Sequence, residues 1–190
     1  MPIPFRDLDD LNELGPAAFL KMARDPDGAV SYGALFLVNA RGEPLEFSFN
    51  RAEAPSSPLW RPADVRRQLE RSLTISLLSI CPRVPTLLLC LAAEVSGELF
   101  SREIRLSLPV CRIAASLETT PYLAEEQREL VEASEPMHLF WFPDRPPEAS
   151  PGLRLLGELV ARELLVEPFD RALAGLREVY GPFDRREPSP

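Results

Sequence analysis

The chain has 190 residues, a hydrophobic content of 45% and a formal net charge of −8. This length suits one domain, or one domain with a helical appendage, and the composition is sufficient for a buried core. The acidic balance argues against a protein that grips a phosphate backbone over a broad surface, because such binding needs a basic face. We therefore expect no broad, direct binding of nucleic acid, although a local basic patch remains compatible with the composition.

The sequence predicts neither a membrane span nor a secretory signal. No apolar run reaches the roughly 18 residues that a membrane helix needs. The N-terminal segment is acidic, with Asp7, Asp9 and Asp10, which is the wrong charge for a signal peptide. These features predict a cytoplasmic protein without membrane contact.

Residues 1–28 are predicted to form two short helical pieces and a turn. Asp7 is placed to cap the first piece, and Gly15 followed by Pro16 separates it from the second. The second piece carries Phe19, Leu20 and Ala23 on one face.

Residues 33–50 predict a β-hairpin. Its first arm is apolar on both faces, which is typical of a central strand. Its second arm alternates between apolar and polar residues and is predicted to be half exposed. Gly42 supplies the positive φ that a short hairpin turn requires.

A helix from Pro62 to about Ile80 and several strands follow the hairpin. The helix carries an apolar stripe at Val65, Leu69, Leu73 and Leu77, with Arg66, Arg67, Glu70 and Arg71 predicted to point outward. Residues 86–92 predict a second central strand and residues 104–110 an edge strand. Residues 120–133 predict a helix with an acidic outer face, and residues 137–142 the last strand.

The C-terminal part is predicted as a helical appendage to a sheet domain that spans residues 1–142. Residues 143–181 comprise a proline-rich linker and a helix that Pro168 splits, which packs on the same domain or on a partner. Residues 182–190 are predicted to be a disordered tail. The whole pattern predicts an α+β fold with a mixed or mostly antiparallel sheet of about five strands, flanking helices and a C-terminal split helix.

The scarcity of histidine and lysine excludes the common catalytic constellations. His138 is the sole histidine, so neither a two-histidine zinc site nor an HExxH pair exists. Lys21 is the sole lysine and follows no glycine-rich loop, which excludes a phosphate-binding loop of the Walker type. The three cysteines are too few and too widely spaced for a disulfide framework. We therefore predict no catalytic residues and no cofactor.

Carboxylate metal sites are harder to exclude from the sequence. Nucleases of the RNase H-like class place acidic residues on adjacent strands, where two Mg²⁺ ions straddle a phosphate. Here Asn39 ends the apolar arm of the hairpin, where such a fold requires an aspartate. The candidate metal ligands are Glu46, Glu94 and Glu103. Their spacing shows no recurring pattern, and solvated surface acids are the favoured alternative.

The residue pattern favours contacts with other proteins over catalysis. The candidate interface residues are Trp60, Trp141, Phe169, Leu173 and Tyr180. For Trp141, coverage by helices on both faces of the sheet is the alternative. The first hypothesis is a non-enzymatic assembly subunit whose partners are other protein subunits or further copies of itself. The alternatives are a carboxylate- and Mg²⁺-dependent hydrolase or nuclease, intact or degenerate, and an accessory subunit of a nucleic-acid-processing or defence assembly.

Overall fold

A computed structural model describes residues 10–56, 59–117, 120, 123–124, 126–132 and 135–183. Within these residues, seven strands form one sheet and three α-helices pack on it. The strands are β1 (Ala17–Arg24), β2 (Val30–Val38), β3 (Pro44–Glu53), β4 (Leu87–Leu91), β5 (Val110–Ala114), β6 (Gln127–Glu132) and β7 (Pro136–Phe142). The helices are α1 (Pro62–Ile80), α2 (Pro151–Ala161) and α3 (Glu167–Tyr180), with a 3₁₀ turn at Asp10–Leu14 and a π-helical turn at Leu99–Glu103. The predicted α+β class is confirmed, but the sheet has more strands than the five expected.

The sheet is mixed, with three parallel strands at its centre. Its order is β3-β2-β1-β4-β5-β7-β6. Strands β1, β4 and β5 run parallel to one another, and each outer neighbour pairs antiparallel. The carboxyl ends of the three parallel strands therefore meet at one edge, which is where open sheets of this kind bind their ligands.

Helices cover both faces of the sheet, and the strand residues alternate between the two cores. On one face, α1 and the π-helical turn bury Leu73 and Leu77 against Leu20. On the opposite face, α2 and α3 bury a second core in which Phe169 lies edge-on to Phe19, with ring centroids 5.0 Å apart. Because both faces are covered, the central strands are apolar throughout.

Helix α1 begins and ends where the sequence predicts. Pro62 occupies the first turn, where its missing N–H leaves no hydrogen bond unmade. Leu69, Leu73 and Leu77 are buried, as the apolar stripe indicates. Glu70, however, does not point outward: its side chain is only 3% exposed. An apolar stripe at a spacing of four residues predicts which apolar side chains of a helix are buried. It does not predict that a carboxylate is buried through pairing with arginines.

Three other predicted elements differ from the structure. Residues 17–24 form strand β1 instead of a helix. The sequence does not indicate this strand, because a strand buried on both faces lacks the two-residue alternation that identifies half-exposed strands. Residues 127–132 of the predicted acidic helix form the edge strand β6. Residues 104–109 are irregular, and the strand predicted there begins only at Val110.

The C-terminal helices pack on the sheet. The Ser150 hydroxyl accepts a hydrogen bond from the Leu153 N–H at 3.2 Å and caps α2, whose first residue is Pro151. Pro168 lies in the first turn of α3, and Gly181 follows the helix with φ = 82°. In the predicted tail, residues 184–190 lie outside the described residues, as do Asp7 and Asp9. Among the described residues, no helix has the length and hydropathy to cross a membrane.

Candidate functional site

A cleft opens at the carboxyl edge of the parallel strands, beneath the first half of α1. It has two adjoining compartments. The larger, of about 450 Å³, lies between α1 and the segment that follows β4. The smaller, of about 260 Å³, lies at the end of β1. Arg66 and Ala93 line both, so the Arg66 side chain stands at their junction.

Glu94 lines the smaller compartment and is paired with the buried Lys21. The pairing of β1 with β4 ends at Leu20, while β1 itself continues to Arg24. Beyond this point, the Glu94 side chain provides the hydrogen-bond acceptor that a neighbouring strand would provide: its Oε2 accepts a hydrogen bond from the Met22 N–H at 3.0 Å. Its Oε1 accepts a hydrogen bond from the ammonium of Lys21, a residue only 8% exposed. Burial raises the pKa of the Glu94 carboxyl, although the Lys21 ammonium opposes the shift.

A second buried carboxylate, Glu70 of α1, holds two arginines. Its Oε1 accepts hydrogen bonds from Arg66 Nε at 2.9 Å and from Arg24 Nη2 at 3.4 Å. Its Oε2 accepts the Ser96 N–H at 3.4 Å. Burial and then repulsion from the Arg66 guanidinium lower the pKa of Arg24, against the attraction of Glu70. Two guanidinium groups thus share one carboxylate oxygen, so this cluster of three side chains carries a net positive charge.

The loop that carries Glu94 is fixed from the opposite side by Arg112 of β5. Arg112 Nε donates to the Val95 carbonyl at 3.0 Å, and Nη2 donates to the Ala92 carbonyl at 3.3 Å. Its Nη1 pairs with Glu126 at 2.5 Å, and both side chains are only 1% exposed. A buried ion pair satisfied by further hydrogen bonds specifies one loop conformation. Arg112 is therefore a positioning residue for Glu94.

The structure does not bring the three candidate metal ligands together. Glu94 lies at the cleft, whereas Glu103 pairs with Arg67 at 3.4 Å and with Arg71 at 3.9 Å. Glu46 lies on the edge strand β3, three positions away from β4 in the sheet. In the part of the chain that the structure describes, no three metal-ligating side chains are close enough to hold an ion.

The residues at the cleft do not fit a divalent metal ion of the kind that nucleases use. Such an ion needs several carboxylate or carbonyl oxygens directed at one point. Directly after the last residue of β1 that pairs with β4, the side chain present is the Lys21 ammonium, which donates hydrogen bonds and ligates no metal. The Lys21 ammonium lies against Glu94, and two guanidinium groups lie against Glu70, so positive charge next to both carboxylates repels a divalent ion. Asn39 does not lie at this edge in a ligand role: its Oδ1 accepts the Arg41 and Glu43 N–H groups and closes the hairpin turn.

The candidate interface residues lie in different environments. Trp141 is fully buried in the core under α2 and α3, and it donates its Nε1–H to Glu129 at 3.1 Å. Phe169 is 1% exposed, and Leu173 and Tyr180 are half-buried on α3. Trp60 is 44% exposed beside α1. An interface role for these residues stays a prediction.

The remaining residues that the sequence analysis singled out lie away from the cleft or inside the core. His138 is half-buried in β7 and pairs with Ala114. Cys90 and Cys111 are buried, and Cys81 is half-buried. Their placement adds no catalytic group to the cleft.

Solved structures of endonuclease V have a similar fold. Endonuclease V from Bacillus subtilis superposes with a TM-score of 0.56 at 15% identity, over 88% of this chain and 81% of that one. Endonuclease V from Streptomyces avermitilis gives a TM-score of 0.57 at 16% identity, over 87% of this chain and 81% of that one. Endonuclease V from Ciona intestinalis, in complex with a 24mer DNA containing inosine, gives 0.48 at 8% identity over 87% of each chain. No protein-family model matches the sequence, and the search of the curated proteins gave no match either.

These comparisons show that the chain has a fold similar to that of endonuclease V. At this level of identity, the likeness shows the fold alone. It nevertheless contradicts the first hypothesis, a non-enzymatic interaction subunit, because the structural neighbours are nucleases. The expectation of protein partners without direct nucleic-acid binding is wrong for the same reason. The nuclease alternative is the better supported of the hypotheses drawn from the sequence.

Sequence reasoning found one residue of this site and missed the others. Glu94 was a candidate, but as a metal ligand. Lys21, Arg24, Arg66 and Glu70 were missed because they lie on two elements that are far apart in sequence. Lys21 and Glu94, for example, are 73 residues apart. The available signal is that Lys21 is the sole lysine of the chain, but this alone does not indicate its partner.

Proposed function

We propose that the protein is a nucleic-acid-processing protein of the nuclease type, which binds the phosphate backbone in the cleft under α1. The observation that carries the proposal is the arrangement of Arg24 and Arg66 around one oxygen of Glu70. The fold of endonuclease V and the position of the cleft at the carboxyl edge of the parallel strands support it.

The net charge of −8 is compatible with this proposal because the basic residues are local. Arg66, Arg67 and Arg71 are exposed residues of α1, and Arg24 of β1 shares the Glu70 carboxylate with Arg66. Phosphate recognition depends on charge within about a Debye length of the contact, not on the charge of the whole chain. The arginine-rich composition therefore has a local use at this cleft.

The chemistry of the site suits a phosphodiester. Guanidinium groups stabilise the charge that develops on phosphate oxygens during displacement. Glu94 supplies a carboxylate at the same place, and burial raises its pKa toward the range in which a proton acceptor works. In this proposal Arg24 and Arg66 bind the phosphate, and Glu94 accepts a proton from the water molecule that attacks the phosphorus. The ester P–O bond breaks as the new P–O bond forms, and the leaving oxygen takes a proton from solvent.

The proposal is tested by fluorescence anisotropy with labelled single- and double-stranded DNA and RNA. We expect binding that weakens as the salt concentration rises. Arg66→Gln should weaken it by about tenfold, the size of one charge-assisted hydrogen bond. Arg154→Gln, on the exposed side of α2 across the sheet, removes the same charge from the opposite face and should leave binding unchanged.

Cleavage is followed with the same oligonucleotides on denaturing gels. Glu94→Gln should lower the rate of cleavage more than it lowers binding, because it removes a proton acceptor while leaving the arginines in place. Failure of all four oligonucleotide classes to bind at low salt would overturn the proposed function.

A further inference from the structure

We infer that Lys21 is a built-in counter-ion: it neutralises Glu94 from inside the fold, so that Arg24 and Arg66 bind a phosphate group without a metal ion. The inference rests on the proposed function and names the ligand chemistry of the same cleft. It follows from the disagreement between the residues present and a carboxylate metal site.

Lys21 is placed to neutralise Glu94 and not to contact the ligand. Its side chain is 10% exposed and does not line the smaller compartment, whereas the side chain of Glu94 is 20% exposed and does. Glu94 lines the smaller compartment, together with Arg24 and Arg66. A carboxylate at that wall repels an incoming phosphate unless a cation pairs with it. In metal-dependent nucleases a bound divalent ion removes this repulsion; here the ammonium is covalently part of the chain.

The two arginines have the exposure that a ligand contact requires. The side chains of Arg24 and Arg66 are 35% and 49% exposed, while the Glu70 that holds them is 3% exposed. Their carboxylate anchor is therefore inside, and the guanidinium groups reach the cleft. Arg66 also donates to the Ala93 carbonyl at 3.5 Å, which holds it between the two compartments.

The charge balance at the smaller compartment favours an anion. Two cations, Arg24 and Arg66, line it together with one carboxylate, Glu94. Their partners Glu70 and Lys21 lie outside this lining and carry opposite charges. Both arginines compete for one oxygen of Glu70, and a phosphate oxygen between them relieves their mutual repulsion. A divalent cation at the same place increases that repulsion.

The first experiment compares nucleic-acid binding in EDTA and in MgCl₂ at equal ionic strength, using the labelled oligonucleotide that the wild-type protein binds best. We expect the two dissociation constants to agree within about twofold, apart from the screening that Mg²⁺ exerts on the nucleic acid. Titration of Mn²⁺ into the protein alone, followed by electron paramagnetic resonance, should show no stoichiometric binding.

The second experiment isolates the counter-ion role with a double-mutant cycle. Lys21→Met leaves Glu94 uncompensated and should weaken binding in EDTA by about tenfold. Lys21→Met combined with Glu94→Gln removes both charges and should restore most of the affinity, because Arg24 and Arg66 remain. Circular dichroism and thermal unfolding establish that each variant is folded.

The outcomes separate this inference from the proposed function. Binding that requires Mg²⁺, or stoichiometric Mn²⁺ binding that Glu94→Gln abolishes, overturns the counter-ion role while leaving nucleic-acid binding intact. A double variant that binds as weakly as Lys21→Met alone also overturns it. Absence of binding by the wild-type protein in both buffers overturns the proposed function instead.

Discussion

Gly97 shows at the scale of one residue how tightly the loop after β4 is packed. A methyl group at this position would lie 2.7 Å from Arg112 Nη1 and 2.9 Å from Glu126 Oε1. These atoms belong to the buried ion pair that positions the segment carrying Glu94. The smallest substitution therefore forces the pair apart.

We predict that Gly97→Ala lowers the free energy of unfolding by about 2 kcal/mol, through overpacking against a buried ion pair. The measurement is urea denaturation followed by circular dichroism. Gly157→Ala, in α2 with open space around the new methyl group, is the matched control and should be neutral or stabilising by about 0.5–1 kcal/mol. Equal midpoints for the two variants would contradict the packing described here.

Glu129 provides a test of pH dependence at the same scale. Hydrogen bonds from Arg145 and, to a lesser degree, from Trp141 lower the pKa of its carboxyl, against the effect of burial. Because the folded-state pKa is below the unfolded value, the unfolded chain takes up a proton first as the pH falls. The stabilisation from Glu129 is therefore present above the unfolded pKa of about 4.5 and is lost as the pH falls through the folded pKa.

We predict that Glu129→Gln reduces the acid-induced loss of stability between neutral pH and pH 3. The expected difference at neutral pH is about 1 kcal/mol, as for a partly buried ion pair with hydrogen bonds. Denaturant unfolding at several pH values measures it. Glu132→Gln, an exposed residue of the same strand, should follow the wild-type pH profile; a profile for Glu129→Gln that does the same would refute the assignment.

Lys21 also marks the limit of sequence reasoning at this scale. The sequence shows that it is the sole lysine of the chain, but its partner, Glu94, is 73 residues away. The sequence predicts that Glu70 points outward with the charged residues around it in α1, but it is buried and paired with Arg66 of the same helix and with Arg24 of β1. Pair interactions between distant elements depend on the sheet order, which no local pattern reveals.

Among the elements, α1 shows most clearly what the sequence predicts. Its bounds, its starting proline and its buried leucines all follow from a regular pattern in a long helix. The predicted hairpin, strand 86–92, strand 137–142 and the helix split near Pro168 are also found as elements. Long periodic segments and proline or glycine boundaries carry enough local information for this.

The two central errors have a common physical cause. Strand β1 contains Phe19, Leu20 and Ala23 at spacings that fit one face of a helix, and burial on both faces removes the alternation that would correct this reading. Strand β6 has an exposed Leu130 next to Glu129, and it is a strand because β7 offers an edge to pair with. In both cases the neighbouring strand decides the conformation.

At the element scale, we predict that Leu77→Ala lowers the free energy of unfolding by about 3 kcal/mol, because this side chain anchors α1 on β2. Leu77 is fully buried, and its Cδ1 would lie 2.9 Å from a methyl group at Gly33. Ile75→Ala removes a 38%-exposed side chain from the same helix and should cost less than about 1 kcal/mol. Comparable losses for the two variants, in chemical denaturation, would show that α1 does not pack as described.

The three thiols report on the whole molecule, because two of them are inside it. Cys90 and Cys111 are fully buried, and burial raises the pKa of Cys90 to about 12 and that of Cys111 well above its ordinary value. Cys81 follows α1, is half-buried, and donates its S–H to the Arg83 carbonyl at 3.3 Å. Thiolate formation requires access to solvent, so the three sites differ in reactivity.

We predict that a thiol reagent such as DTNB modifies one cysteine of the native protein quickly, and the other two only as fast as the molecule unfolds. Cys81→Ser should abolish the fast phase and leave the slow one unchanged. The absorbance of the released thiolate, recorded with and without denaturant, distinguishes the phases. Rapid modification of all three thiols in native buffer would show that the two cores are open.

The position of β1 at the centre of the sheet has a consequence for synthesis on the ribosome. Its antiparallel neighbour β2 follows it directly, whereas its parallel neighbour β4 begins only at Leu87. At about 5–20 residues per second, the nascent meander of β1, β2 and β3 exists on the order of several seconds before β4 is translated. During that interval the backbone groups on one side of β1 are unpaired, which makes this edge a natural point of engagement for chaperones and the most aggregation-prone stage in the life of the polypeptide.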